Sequence, residues 1–289
     1  PAGWDVNIAA VIHYVDADAT GLNDGTSWED AFIDLQNALA AAVGGDVIWV
    51  AAGTYYPTDA TDRNACFAMT PTVDMYGSFA GTEVSTVQRD LRNNTAVLSG
   101  DIGTPGDPSD NCYSVVLGAS ETVLDGFVIR DGNSNGYGAG LKCMYADPVV
   151  RNCRFIGNTA AGGGAIHFYS SSPPLDIQLV NCVFIDNAAT GTPGGAIYIH
   201  AVNSSVALTN CSFYSNTTAG APGGALYHTG SALPAQIANT IMWGNSLPAT
   251  TTGTSPRPVF YFSDIEACGG SGAGWDTALG TDGGGNIDA

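Results

Sequence analysis

The feature that most restricts the fold is a motif that returns every 29 residues. Asn152-Cys153-Arg154-Phe155-Ile156-Gly157-Asn158 recurs as Asn181-Cys182-Val183-Phe184-Ile185-Asp186-Asn187 and as Asn210-Cys211-Ser212-Phe213-Tyr214-Ser215-Asn216, with a degenerate copy at Asn239-Thr240-Ile241-Met242-Trp243-Gly244-Asn245. A second element interleaves with it: Gly163-Gly164-Ala165-Ile166-His167, Gly194-Gly195-Ala196-Ile197-Tyr198 and Gly223-Gly224-Ala225-Leu226-Tyr227. Each period then holds about three short β-prone runs parted by Gly, Ser, Asn and Pro, and no helical stretch long enough for a crossover. Such a unit cannot bury its own apolar face and must stack on copies of itself. The expected fold is all-β, a parallel β-helix.

Coils about 4.8 Å apart place equivalent residues in ladders. Alternation sends Cys153, Phe155 and their counterparts inward, with an Ile166/Ile197/Leu226 ladder, and leaves Asn152, Arg154 and Ile156 outward or in turns. The closing Asn158, Asn187, Asn216 and Asn245 read as turn formers, left-handed or bonded to the next coil. The Gly-Gly pairs read as corners, since they lack the Lys-Ser/Thr of a phosphate loop. Residues 123–133 fit one irregular coil, with Phe127 and Ile129 in the places of Cys153 and Phe155.

The expected organisation is a single domain over 1–289, with a capping α-helix at about 27–43 and coils over about 45–245. Trp28, Phe32, Leu35 and Leu39 mark the helix, and Ser27 or Thr26 is the expected cap. Residues 246–289 are rich in Gly and Thr and suggest no comparable cap, so this end is expected to continue into another domain or to meet a second copy end to end.

Eight Lys plus Arg against 27 Asp plus Glu give a formal charge of −19. That balance excludes a nucleic-acid partner, which needs clustered cations, and no apolar run is long enough to span a bilayer. The scarcity of Lys and wealth of Asn, Ser and Thr suit a secreted or cell-surface protein, whose start, with any signal peptide, is expected to precede Pro1. The seven Cys form no C-x-x-C pair. Cys66 with Cys112, or neighbours within the Cys153/Cys182/Cys211 ladder, are open pairings.

Gly-Gly-Ala-Ile/Leu paired with Phe-x-x-Asn resembles the repeats of chlamydial polymorphic outer-membrane proteins and related bacterial adhesins. Tyr14-Val15-Asp16, Gly25-Thr26-Ser27-Trp28, Ala31-Phe32, Leu35-Gln36-x-Ala38-Leu39 and Val50 to Pro57 resemble the opening of secreted right-handed parallel β-helix proteins of the pectate-lyase-like superfold. The resemblance covers nearly the whole chain and implies a right-handed solenoid. It implies either an adhesive or structural scaffold, with a glycan or another surface protein as partner, or a carbohydrate-active enzyme such as a polysaccharide lyase.

Three groups of residues are candidates for chemistry. Arg130, Lys142, Arg151 and Arg154, half of all cations within 25 positions, are the candidate basic patch of a lyase or else scattered surface charge. His167, Tyr198 and Tyr227, with Tyr169 and His200 beside them, form outward ladders that could stack on sugars or simply on each other. Asp16, Asp18, Asn23 and Asp24 crowd one loop with the hard oxygens that suit Ca2+, or form turns. A hydrolase needs two carboxylates about 5 to 9.5 Å apart, and only Asp107/Asp110 and Asp125/Asp131 offer themselves.

Overall fold

The computed structural model describes residues 10–289. The chain winds as a right-handed parallel β-helix with four sheets running along it. The first has ten strands: Ile12–Val15, Val47–Ala51, Asp74–Phe79, Val123–Asp125, Val149–Arg151, Asp176–Val180, Ser205–Thr209, Gln236–Ala238, Val259–Tyr261 and Thr281–Asp282. The second has seven, from Phe67–Ala68 to Thr250–Thr252, and the third eight, from Gly53–Tyr55 to Asp264–Ile265. A short fourth joins Thr159–Ala160, Ala188–Ala189 and Thr217–Thr218. A regular coil passes from second sheet to first to third, as in Leu141–Met144, Val149–Arg151 and Arg154–Ile156.

Register follows the 29-residue step. Phe155 pairs with Phe184, Phe184 with Phe213 and Phe213 with Met242. The three Phe rings stack at 5.2 and 4.5 Å between centroids, wholly buried. Cys153, Cys182 and Cys211 form the neighbouring inward ladder, each thiol donating to a carbonyl of the coil before. Burial pushes the Cys153 thiol up to about 12, so it packs as a small apolar group. All seven cysteines are unpaired. Val128 and Ile129 pair with Arg154 and Phe155, as the irregular coil required.

The left-handed turn is not where the closing Asn suggested. Asn152, Asn181, Asn210 and Asn239, which open the motif, have φ of 54°, 55°, 55° and 50°. The closing Asn158, Asn187, Asn216 and Asn245 instead turn their amides into the core and bond from coil to coil. The Nδ2 of Asn158, Asn187 and Asn216 donates to the Oδ1 of the Asn one coil on, at 3.1, 2.9 and 2.9 Å. At the Gly-Gly corners the first glycine is left-handed, and a Cβ on Gly163 would meet the carbonyl of Ile166 at 2.3 Å.

Both ends differ from expectation. The helix spans only Leu35–Ala41, and its N-cap is Asp34, whose carboxylate accepts from the Gln36 amide. Ser27 and Asp30 bond each other and Asp24 takes the Thr26 amide and hydroxyl, local bonds that compete with helix formation. Phe32 bridges Val15 instead, and Trp28 crosses to the outside of the first sheet against Tyr14 and Phe79. Leu35, Ala38 and Leu39 still cover the first coil, which begins at Ile12 rather than near 45. Asp34→Ala is expected to cost about 1 kcal/mol, visible as a small drop in denaturation midpoint without change in sheet content.

At the other end coils continue past 245 to Thr281–Asp282, and the loop between 266 and 280 closes them. Cys268, Trp275 and Leu279 join the core, with Trp275 donating to the Gly280 carbonyl and Thr250 to that of Leu279. Asp282 holds this loop together by accepting from Gly272, Gly284, Ser271 and Asn286, which keep its carboxyl down at about 2.

Candidate functional site

The four clustered cations separate in space because a coil turns through three faces within this stretch. Lys142 lies on the second sheet beside His167, Arg151 on the first beside Asp125, and Arg154 and Arg130 on the third beside Val128 and Ile156. Arg151 is engaged: with Arg89 it holds the buried Asp125, at 2.8 and 3.0 Å. The basic patch is therefore not one site.

Three of the four oxygen-bearing side chains of the first loop serve its own backbone. Asp16 accepts from the Asp18 amide, Asn23 from that of Ile33 and Asp24 from that of Thr26. Among the described residues no three His, Cys, Asp or Glu side chains gather as a metal site.

The aromatic ladders form as drawn, with two differences. His167 pairs with Tyr198 and Tyr198 with Tyr227, while Tyr169 pairs with His200. Tyr137 lies on His167 at 4.9 Å, so the imidazole is 4% exposed, and burial together with the Lys142 charge lowers it to about 4. Ring centroids 5.1 Å apart along His167, Tyr198 and Tyr227 put ring against ring. What these tyrosines offer outside is therefore edge and hydroxyl rather than a free face.

A groove that sequence did not reveal begins next to Lys142. A cavity of about 290 Å³, lined by Cys66, Tyr113, Ser134, Asn135 and Lys142, adjoins one of about 310 Å³ lined by Arg63, Tyr113, Asn133, Ser134, Asn135 and Thr190. The second shares Asn133 and Thr159 with a third, of about 390 Å³, bounded by Asp101, Asn111, Arg130 and Asp131. The groove follows the segment 131–137, which leads to the Tyr137 of the aromatic row. Its walls come from inserted loops, 56–66 and 101–112, whose only sequence signal is that they break the repeat.

Asp131 stands out in the third cavity. It is left-handed at φ 63°, accepts from Ser99 and pairs with Arg130, both at 3.3 Å. Burial raises its carboxyl; Arg130 and Ser99 oppose this, and the Asp101 charge adds to it. Asp125 is not its partner, since it lies on the first sheet between two arginines. Asp107 and Asp110 accept from the Ser109 and Thr104 amides of their own loop. A crease of about 670 Å³ between Arg257, Trp275 and Asp282 belongs to the closing loop, whose Asp282 carboxylate is fully engaged.

Residues 109–241 match the family model described as the right handed beta helix region. The matched residues lie within the stacked coils of the solenoid, and the fold is that of a right-handed parallel β-helix. Among solved structures it is similar to a rhamnogalacturonan lyase, with 15% identity and a TM-score of 0.45 over 95% of this chain and 61% of that one. The chain thus spans less than two thirds of that lyase's length. No curated protein matches it.

Proposed function

We propose that this protein is a secreted or surface-displayed adhesive module that holds a glycan chain along the groove and the adjoining aromatic rows without cleaving it. The observation that carries this reading is continuity: three cavities joined by shared residues run into a row of tyrosine edges. Amides and hydroxyls of Asn64, Asn133, Asn135, Ser134 and Thr159 line the path, the lining expected for a polyhydroxylated ligand. A surface protein is the alternative partner.

The test is binding of the intact chain to a glycan array, followed by calorimetry on the glycans that bind. Tyr198→Phe removes a hydroxyl while keeping the ring stack, and is expected to weaken binding about three- to tenfold, at roughly 1 kcal/mol per hydrogen bond. An array without a single binder, or affinity indifferent to both Tyr198→Phe and Asn135→Ala, would sink the reading.

A second reading, a carbohydrate-active enzyme, is favoured by Asp131, a raised acid in a polar cleft. It predicts new reducing ends or unsaturated products that vanish in Asp131→Asn.

A further inference from the structure

We infer that the groove between Arg63 and Lys142 seats a single anionic substituent, a carboxylate or sulfate, on an otherwise neutral glycan; this rests on the glycan-binding reading above. Three of the chain's eight cations, Arg63, Arg130 and Lys142, line one groove of a molecule whose formal charge is −19. Arg130 is neutralised by Asp131. Arg63 and Lys142 have no carboxylate partner among the described residues.

Arg63 is held rigidly. Its guanidinium lies over the Tyr113 ring at 4.3 Å, with Nε donating to the Asn111 carbonyl at 2.7 Å and Nη2 to that of Asn133 at 2.8 Å. Carbonyls fix its geometry without cancelling its charge, and the remaining guanidinium N–H groups stay available. Lys142 is half-buried on the second sheet between Leu117 and His167, and its charge reaches the thiol of Cys66 across the same cavity. The two cavities share Tyr113, Ser134 and Asn135, so one bound sugar segment meets both cations.

The surroundings set the charge density of the ligand. A cleft focuses the potential of its own charges, so two unneutralised cations attract an anion locally. The remaining surface is acidic and repels a second or third anion further along the chain. A polyanion therefore gains at one position and loses at its neighbours, whereas a sparsely charged glycan gains only.

The experiment uses the intact chain and the neutral backbones selected by the array, each paired with the same oligosaccharide carrying one uronate or one sulfate. The singly charged member is expected to bind about tenfold tighter, as a half-desolvated charge pair allows. That advantage should shrink as salt rises from about 0.05 to about 0.5 M and fall at least threefold in Lys142→Gln, with fully charged oligo-uronates binding more weakly than the singly charged ligand. Equal affinity for neutral and charged members, or an advantage undiminished in Lys142→Gln, overturns the inference while leaving glycan binding intact. An array without binders removes the underlying reading, and this inference with it.

Discussion

Asn187→Ala is expected to destabilise the fold by about 4 kcal/mol, far more than an average substitution. The Asn187 amide donates to the Phe155 carbonyl and to Asn216 Oδ1, and its own oxygen accepts from the backbone and side-chain nitrogens of Asn158. The site is fully buried, so truncation leaves each partner unpaired where water cannot replace the amide. Asn181→Ala, six residues earlier in the same coil, is the control. That side chain is exposed, and the cost there is chiefly an alanine in the left-handed region, roughly 1 to 2 kcal/mol. Asn181→Gly should recover most of it. Denaturant titration of the three variants decides the matter; equal losses at 187 and 181 would show that the inner amide column is not the brace.

The second large effect is on acid stability. His228 is inward, between Ile199 and Thr252, fully buried, and neither ring nitrogen has a partner. Burial lowers it from 6.5 to about 4, and His167 is likewise lowered to about 4. A base whose folded value is depressed stays neutral in the native chain while the unfolded chain takes up the proton. Stability therefore falls as pH drops from about 6.5 towards 4, by about 3 kcal/mol for each histidine at roughly 1.4 kcal/mol per unit, and this contribution levels off below. Carboxylates held low act in a separate window. Asp282 contributes above its unfolded value near 3.8 and loses that contribution only as pH falls through about 2. His228→Leu is expected to raise the melting temperature at pH 7, by removing two orphaned nitrogens, and to flatten the profile between pH 6.5 and 4. An unchanged slope in that variant would place the acid sensitivity elsewhere.

The regular half of the fold was legible because like stacks on like: Phe155, Phe184 and Phe213 share one environment, so their sequence repeats with the coil. The outward ladder of His167, Tyr198 and Tyr227 was legible for the same reason, though not the cover that Tyr137 places on it. What sequence concealed was built between non-equivalent coils. Arg63 and Lys142 are 79 positions apart and line adjoining cavities because the chain returns to the same face. Arg151 and Arg154 are three apart and part company, because a corner lies between them. Trp28 and Phe32 kept a helical spacing that local Asp and Ser bonds overrode. The closing loop hid its purpose because half of the bonds by which Asp282 secures it go to backbone amides.

The inner amide column has a direction as well as a strength. Each Asn donates to the next oxygen from Asn158 towards Asn245, and the column starts where Asn158 accepts from Gly132 on the wall of the groove. The aromatic row of His167, Tyr198 and Tyr227 runs along the same coils as this column. Recombination between the near-identical motifs would add or delete whole coils, each junction meeting the same partners above and below. Such an exchange would lengthen or shorten the aromatic row and the amide column together, by single coil heights.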